Sequence, residues 1–176
     1  KERDKAIMVL FLELGLRLSE LVNINVEDIE NDTILIRGKG KKERKLPLNK
    51  RCIKVIKDYL KVRPSAHEIK PGHQEAVFIS RVGKRISTRT VQLIVDKFLR
   101  LANINTEDKK YTPHKLRHTF ATLLANKGVS VHDIQEFLGH ENLATTSVYI
   151  NSRFKRLKEV KESVPILNLD AHNNED

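Results

Sequence analysis

The sequence predicts an α+β fold, mainly helical, with a small antiparallel sheet near its N-terminal half. Long stretches place apolar residues at helical spacing. Two extended runs flank a basic turn punctuated by Gly38 and Gly40, the pattern of a β-hairpin. Proline, glycine and hydroxyl residues stand where helices start and stop.

Taken in order, Glu2 to Leu14 sets Ala6, Val9, Leu10 and Leu14 at helical spacing, which reads as an amphipathic helix. Gly15 punctuates it, and Leu18 to Ile24 forms a second, short helix. Thr33 to Arg37 is β-branched and aliphatic, a strand signal, and Glu43 to Leu48 returns as its partner. Asn49 opens a helix that runs to Val62 and stops before Pro64. His67 to Glu75 is a loop, Ala76 to Ser80 a further strand, and Gly83 turns the chain towards Ser87. From Thr88 to about Leu101, Val91, Ile94, Val95, Phe98 and Leu101 mark a long helix with one buried face. Thr112-Pro113 combines an N-cap hydroxyl with proline at the first helical position, so a helix starts there, carries His114 to Asn126 and ends near Gly128. Ser130 caps the next, with Asp133 as its capping-box acid, and Gly139 closes it. Helices are also expected around Leu143–Ile150 and Arg153–Ser163, and the tail from Pro165 begins apolar and ends acidic.

A chain of 176 residues, 39% hydrophobic and 32% charged, can bury the core of one domain. No apolar run approaches the ~20 residues that span a bilayer, and no signal-peptide pattern follows Lys1. A soluble, cytoplasmic protein with no membrane partner is expected. The single cysteine, Cys52, excludes an internal disulfide and a cysteine-built zinc site, and reads as a small residue on a helix face. The net charge of +10 favours a polyanionic partner, since each phosphate neutralised releases counterions. Charge alone also fits a solvated basic face.

Specific chemistry comes from spacing. His114, Arg117 and His118 fall at i, i+3 and i+4 and share one helical face, with His114 in the first turn. An anion there would meet an imidazole, a guanidinium fork and free backbone amides. Zinc on His114 and His118 is disfavoured, because no glutamate accompanies them and Lys115 and Arg117 would repel the ion. Arg17 lies between apolar flanks in GLRLSEL, where Glu20 can brace it; a purely structural Arg–Glu pair is the plain alternative. Lys39 stands between glycines at the hairpin tip and suits a general acid, whereas Lys41, Lys42 and Arg44 read as a solvated basic hairpin. The GxxxxGK[ST] spacing of a phosphate loop is absent. His140 follows a helix end, and Tyr149 offers a phenol that can attack phosphorus if cations stabilise the developing charge. Taken singly, each of these residues also fits an ordinary surface or core position.

Their order is more telling. GLRLSEL, GKGKKERKLPL, TPHKLRHTFATLLANKG, IQEFLGH and TTSVYI resemble the successive signature boxes of the tyrosine recombinase/phage integrase family, over roughly Glu2 to Lys161. The likeness is greatest to bacterial Xer-like and transposon integrase members. It implies the catalytic-domain fold of that family over 1–164, with 165–176 as a tail that docks on a neighbouring protomer. It implies six catalytic residues: Arg17, Lys39, His114, Arg117, His140 and the nucleophile Tyr149. His118 would be a supporting residue. The implied reaction cuts and rejoins double-stranded DNA through a 3′-phosphotyrosine, with no nucleotide or metal cofactor. The implied partners are DNA and further protomers, a tetramer in the full-length synaptic complex. The N-terminal core-binding domain usual in the family is absent from this sequence, so a piece of a longer protein is expected. Two rival readings stay open on sequence alone, a type IB topoisomerase-like enzyme and a DNA-binding regulator that does not cleave.

Overall fold

The computed structural model describes residues 1–38, 40, 42–104 and 113–139. The expected helices around Leu143–Ile150 and Arg153–Ser163, the Thr112 cap and the tail 165–176 lie outside them.

Helix α1 (Glu2–Leu14) is the centre of the fold rather than an amphipathic surface helix. Ala6 through Phe11 are all buried, as are Glu13 and Leu14, because α3 (Lys50–Val62), α4 (Thr88–Leu101) and α5 (Pro113–Asn126) pack around it. A helix buried on nearly every side has no polar face to display, which is why a single-face reading fell short. Gly15 ends α1 in the left-handed region at φ 57°, and α2 (Leu18–Val22) follows at once.

A short 3₁₀ turn (Val26–Asp28) leads into a three-stranded antiparallel sheet of β1 (Ile29–Glu30), β2 (Thr33–Arg37) and β3 (Glu43–Pro47), in that order. The expected β2–β3 hairpin is present, in a register that sets Ile36 opposite Arg44 and Ile34 opposite Leu46. Strand β1 was not foreseen; Asn31, at φ 45°, makes the tight turn that pairs Glu30 with Thr33. Ile34, Ile36 and Leu46 face the common core.

The helix starts read at Asn49 and Ser130 hold, and Ser87 adds a cap that was not foreseen. Asn49 caps α3 by accepting the Cys52 N–H at 2.8 Å, Ser87 caps α4 by accepting the Thr90 N–H at 3.1 Å, and Ser130 caps α6 (Val131–Leu138) by accepting the Asp133 N–H at 3.1 Å. Cys52 is fully buried on α3.

The expected strand over Ala76–Ser80 is not formed; the segment makes only isolated bridges, Asn25 to Ala76 and Ile79 to Arg85. Its backbone is satisfied another way. Arg63 donates to the carbonyls of Gln74, Ala76 and Val77, and the Tyr59 hydroxyl accepts the Ile79 N–H. With side chains meeting these groups, no continuous neighbouring strand is required. Arg3 on Ile79 and Arg85 on Val22 and Ile24 act likewise, so part of the basic excess holds the fold together. No helix among the described residues is long and apolar enough to cross a membrane.

Candidate active site

The end of α1, the start of α2, the hairpin, α5 and α6 converge on one buried carboxylate, that of Glu20. Glu20 is 3% exposed and sits three residues after Arg17, the N-cap of α2. Its oxygens accept the Arg17 backbone N–H at 2.8 Å and the Arg17 guanidinium at 2.9 Å. Arg44, from β3, forks onto both oxygens at 2.8 and 2.9 Å. Arg117, from α5, brings Nη1 within 3.8 Å. Glu20 therefore does brace Arg17, as the spacing suggested, and it also gathers two further arginines.

The same guanidinium groups bind the carboxyl end of α6. Arg44 Nε donates to the carbonyl of Phe137 at 3.0 Å, Arg117 Nη2 to Leu138 at 2.6 Å and Arg17 Nη2 to Gly139 at 3.3 Å. Carbonyls at a helix end lack helical partners and carry the negative end of its dipole, so cations stabilise them. Arg117 Nη1 also donates to Gly15 at 2.6 Å, tying the end of α1 to that of α6. This approach depends on glycine. A Cβ at Gly15 would stand 2.6 Å from Phe120 Cδ1 and 2.9 Å from Leu138, and one at Gly139 would stand 2.9 Å from Arg44 Nη1.

Electrostatics follow from the count, three guanidinium groups around one carboxylate. Burial by itself would raise the Glu20 carboxyl, but the hydrogen bonds and charge of Arg44, joined by Arg17, hold it at about 2 instead of 4.5. Arg117 is pushed down to about 10, chiefly by burial and then by the Arg17 charge, with Glu20 opposing. A buried, mutually repelling set of cations gains from an added anion. Arg17, with its side chain 37% exposed, is the member of the set most open to one.

The structure thus brings Arg17 and Arg117 together. His114 and His118 are exposed on α5, while Arg117 is buried. Lys39, His140 and Tyr149 lie outside the described residues. Chain neighbours of Lys39 and His140 reach the cluster: a Cβ on Gly38 would lie 3.7 Å from Glu20 Oε1, and Gly139 accepts from Arg17. Arg44 is the residue that the sequence misassigned. It is no solvated hairpin residue, since its side chain is 10% exposed and fully engaged with Glu20 and α6. The signal was available in strand alternation, because Arg44 shares a face with buried Leu46. Among the described residues, the group that could share a metal ion is His132, Asp133 and Glu136 on α6, where Asp133 already accepts from Ser130.

Known proteins show the same arrangement of chain. A curated relative, the tyrosine recombinase XerC of Caldanaerobacter subterraneus, is 49% identical over 167 residues, covering 94% of this chain and 46% of its own length. Tyrosine recombinase XerC of Shewanella amazonensis is 40% identical over 160 residues, 90% of this chain and 52% of its own. This chain therefore spans about half the length of these relatives. The crystal structure of XerA recombinase superposes with a TM-score of 0.70 at 32% identity, over 95% of this chain and 59% of that one. The fold is that of a tyrosine recombinase catalytic domain. A family model matches residues 1–156, and with relatives this similar over nine-tenths of the sequence the chain belongs to the phage integrase family.

Proposed function

We propose that this chain is the catalytic domain of a tyrosine site-specific recombinase, cutting and rejoining double-stranded DNA through a covalent bond to Tyr149. The observation that carries the reading is the convergence of Arg17 and Arg117, 100 positions apart in sequence, on Glu20 with a surplus of positive charge. Cations fixed before the substrate arrives stabilise charge that develops in the transition state. The XerH recombinase, solved bound to its difH substrate, is 26% identical to this chain with a TM-score of 0.68, which supports DNA as the partner.

In the proposed reaction the Tyr149 oxygen attacks a backbone phosphorus, forming a phosphotyrosine bond as the bond to the 5′-oxygen breaks. His114 takes the phenolic proton and Lys39 delivers one to the leaving 5′-oxygen, each transfer contributing ~10²–10⁴-fold. Arg17, Arg117, His114 and His140 hold the non-bridging oxygens. A 5′-hydroxyl of the partner strand then attacks the phosphotyrosine and releases Tyr149, so bond energy is conserved. The full reaction is assigned to a tetramer of longer chains on DNA in the cytoplasm, with 165–176 docking on a neighbouring protomer.

A suicide substrate, DNA nicked beside the cleavage site, tests this with the full-length protein. Wild type is expected to form a covalent adduct, and Tyr149→Phe to form none while binding DNA with nearly unchanged affinity. Adduct persisting in Tyr149→Phe overturns the nucleophile assignment. Binding by wild type with no adduct would mark a regulator, and plasmid relaxation with no recombinant product a topoisomerase-like enzyme.

A further inference from the structure

We propose that Arg44 is a positioning residue for the phosphate site, locking Glu20 and the carboxyl end of α6 so that Arg17 and the backbone at Gly139 are held in place; this rests on the function proposed above.

The geometry accounts for each of its contacts. A carboxylate offers about four acceptor positions. On Glu20, Arg44 fills one on each oxygen, while Arg17 fills the others with its side chain and its backbone N–H. The carboxylate can neither rotate nor change partners without breaking a charge-assisted bond. The edge of Arg44 not facing Glu20 directs Nε at the Phe137 carbonyl. Its guanidinium also lies against Gly139, where a Cβ would meet Nη1 at 2.9 Å, Cδ at 3.2 Å and Cζ at 3.3 Å. Gly139 in turn accepts from Arg17. One side chain from β3 thus joins the brace of Arg17 to the last described residue before His140. With a side chain only 10% exposed, Arg44 acts through these neighbours, not on the phosphate.

Lysine cannot replace it. An ammonium is a single point and cannot fork onto both oxygens of Glu20 while donating to Phe137. The groups facing Glu20 are Arg17 at the α2 N-cap, Arg44 from β3, Arg117 from α5 and the Gly38 backbone beyond β2. Arg44 leads the influences that keep the buried carboxyl ionised against the effect of burial. Without it burial gains ground, Glu20 takes up a proton at higher pH, and Arg17 loses its brace.

The test measures single-turnover adduct formation at saturating nicked DNA, with DNA affinity and thermal melting alongside. Full-length wild type is compared with Arg44→Lys, Arg44→Met and the double variant Glu20→Gln/Arg44→Met, which leaves no buried carboxylate unpaired. Both single variants are expected to lose about 100-fold in adduct rate, with DNA affinity held within about threefold. The ratio of the Arg44→Met rate to wild type is expected to fall further as pH drops from about 8 to about 5, and the double variant to lose that extra fall because glutamine does not titrate. Rates within about threefold of wild type overturn the proposal. So does a loss that is independent of pH and tracks the melted fraction, the mark of a merely structural role. A wild type that never forms adduct overturns the proposed function together with this inference, whereas adduct from wild type and Arg44 variants alike overturns this inference alone.

Discussion

Asp28 and Glu20 stand at equivalent places in two successive turns of the chain. Each is 3% exposed, each lies three residues after a helix N-cap, and each accepts its N-cap backbone N–H at 2.8 Å. Each is also clamped by an arginine from the hairpin, Arg37 of β2 for Asp28 and Arg44 of β3 for Glu20. The difference is the charge around them. Arg37 is shared among three carboxylates, those of Asp28, Glu27 and Glu43, and its side chain is 41% exposed. Glu20 is shared among three guanidinium groups. The first clamp has anions to spare and only fastens the 3₁₀ turn to the sheet. The second has cations to spare, and an added phosphate would complete it. The same local device becomes structural or functional according to which sign is in excess.

The largest effect that could break this comparison is on chemistry. Arg117→Met is expected to lower adduct formation on nicked DNA about 10³-fold. Arg37→Met should leave it within about threefold. Equal losses in the two variants would mean that charge excess is not what separates the clamps.

Stability gives a smaller contrast. Glu20→Gln leaves buried arginines without their counterion and is expected to cost about 3 kcal/mol at neutral pH, read by denaturant unfolding. Asp28→Asn, with its arginine half in solvent, should cost about 1 kcal/mol. The Glu20 carboxyl titrates at about 2 in the folded chain, below its ordinary 4.5, so its stabilisation is fully present above 4.5 and is lost as pH falls towards 2. The gap between wild type and Glu20→Gln should close over that interval. A gap that widens towards acid would contradict the assignment.

The smallest effect sharpens the comparison without any DNA. Inorganic phosphate at low ionic strength should raise the wild-type melting temperature by about 2 °C through binding to the folded state. The rise should survive Asp28→Asn and vanish in Arg117→Met. A rise that persists in Arg117→Met would place the anion elsewhere.

Most of the fold was legible because its signals are local. Asn49 and Ser130 announce their helices through side chains that need only the next three residues, and α4 lies where it was expected, from Thr88 to about Leu101. The failures have a common cause. The central position of α1, the missing strand at Ala76 and the burial of Arg44 are each decided by groups far along the chain. Arg63 satisfies the Ala76 carbonyl, and Arg44 reaches Phe137 across 93 positions, distances over which spacing is silent. Within the site, Arg17 and Arg117 were singled out by boxes that resemble a family and both lie on Glu20, whereas Arg44 looked like one more basic residue in a basic turn. Net charge was the least specific signal, because Arg3, Arg63 and Arg85 bind the chain's own carbonyls.

The three carbonyls of Phe137, Leu138 and Gly139 are each held by an arginine encoded earlier, at 93, 21 and 122 positions' remove. A ribosome finishes those arginines before it makes the helix whose end they hold, and the longest-range of these contacts form late in folding. A growing polypeptide can therefore gather its cations on Glu20, but it cannot dock the end of α6 on them until that helix emerges. Under the proposed function, a half-made enzyme cannot nick the chromosome beside which it is being translated.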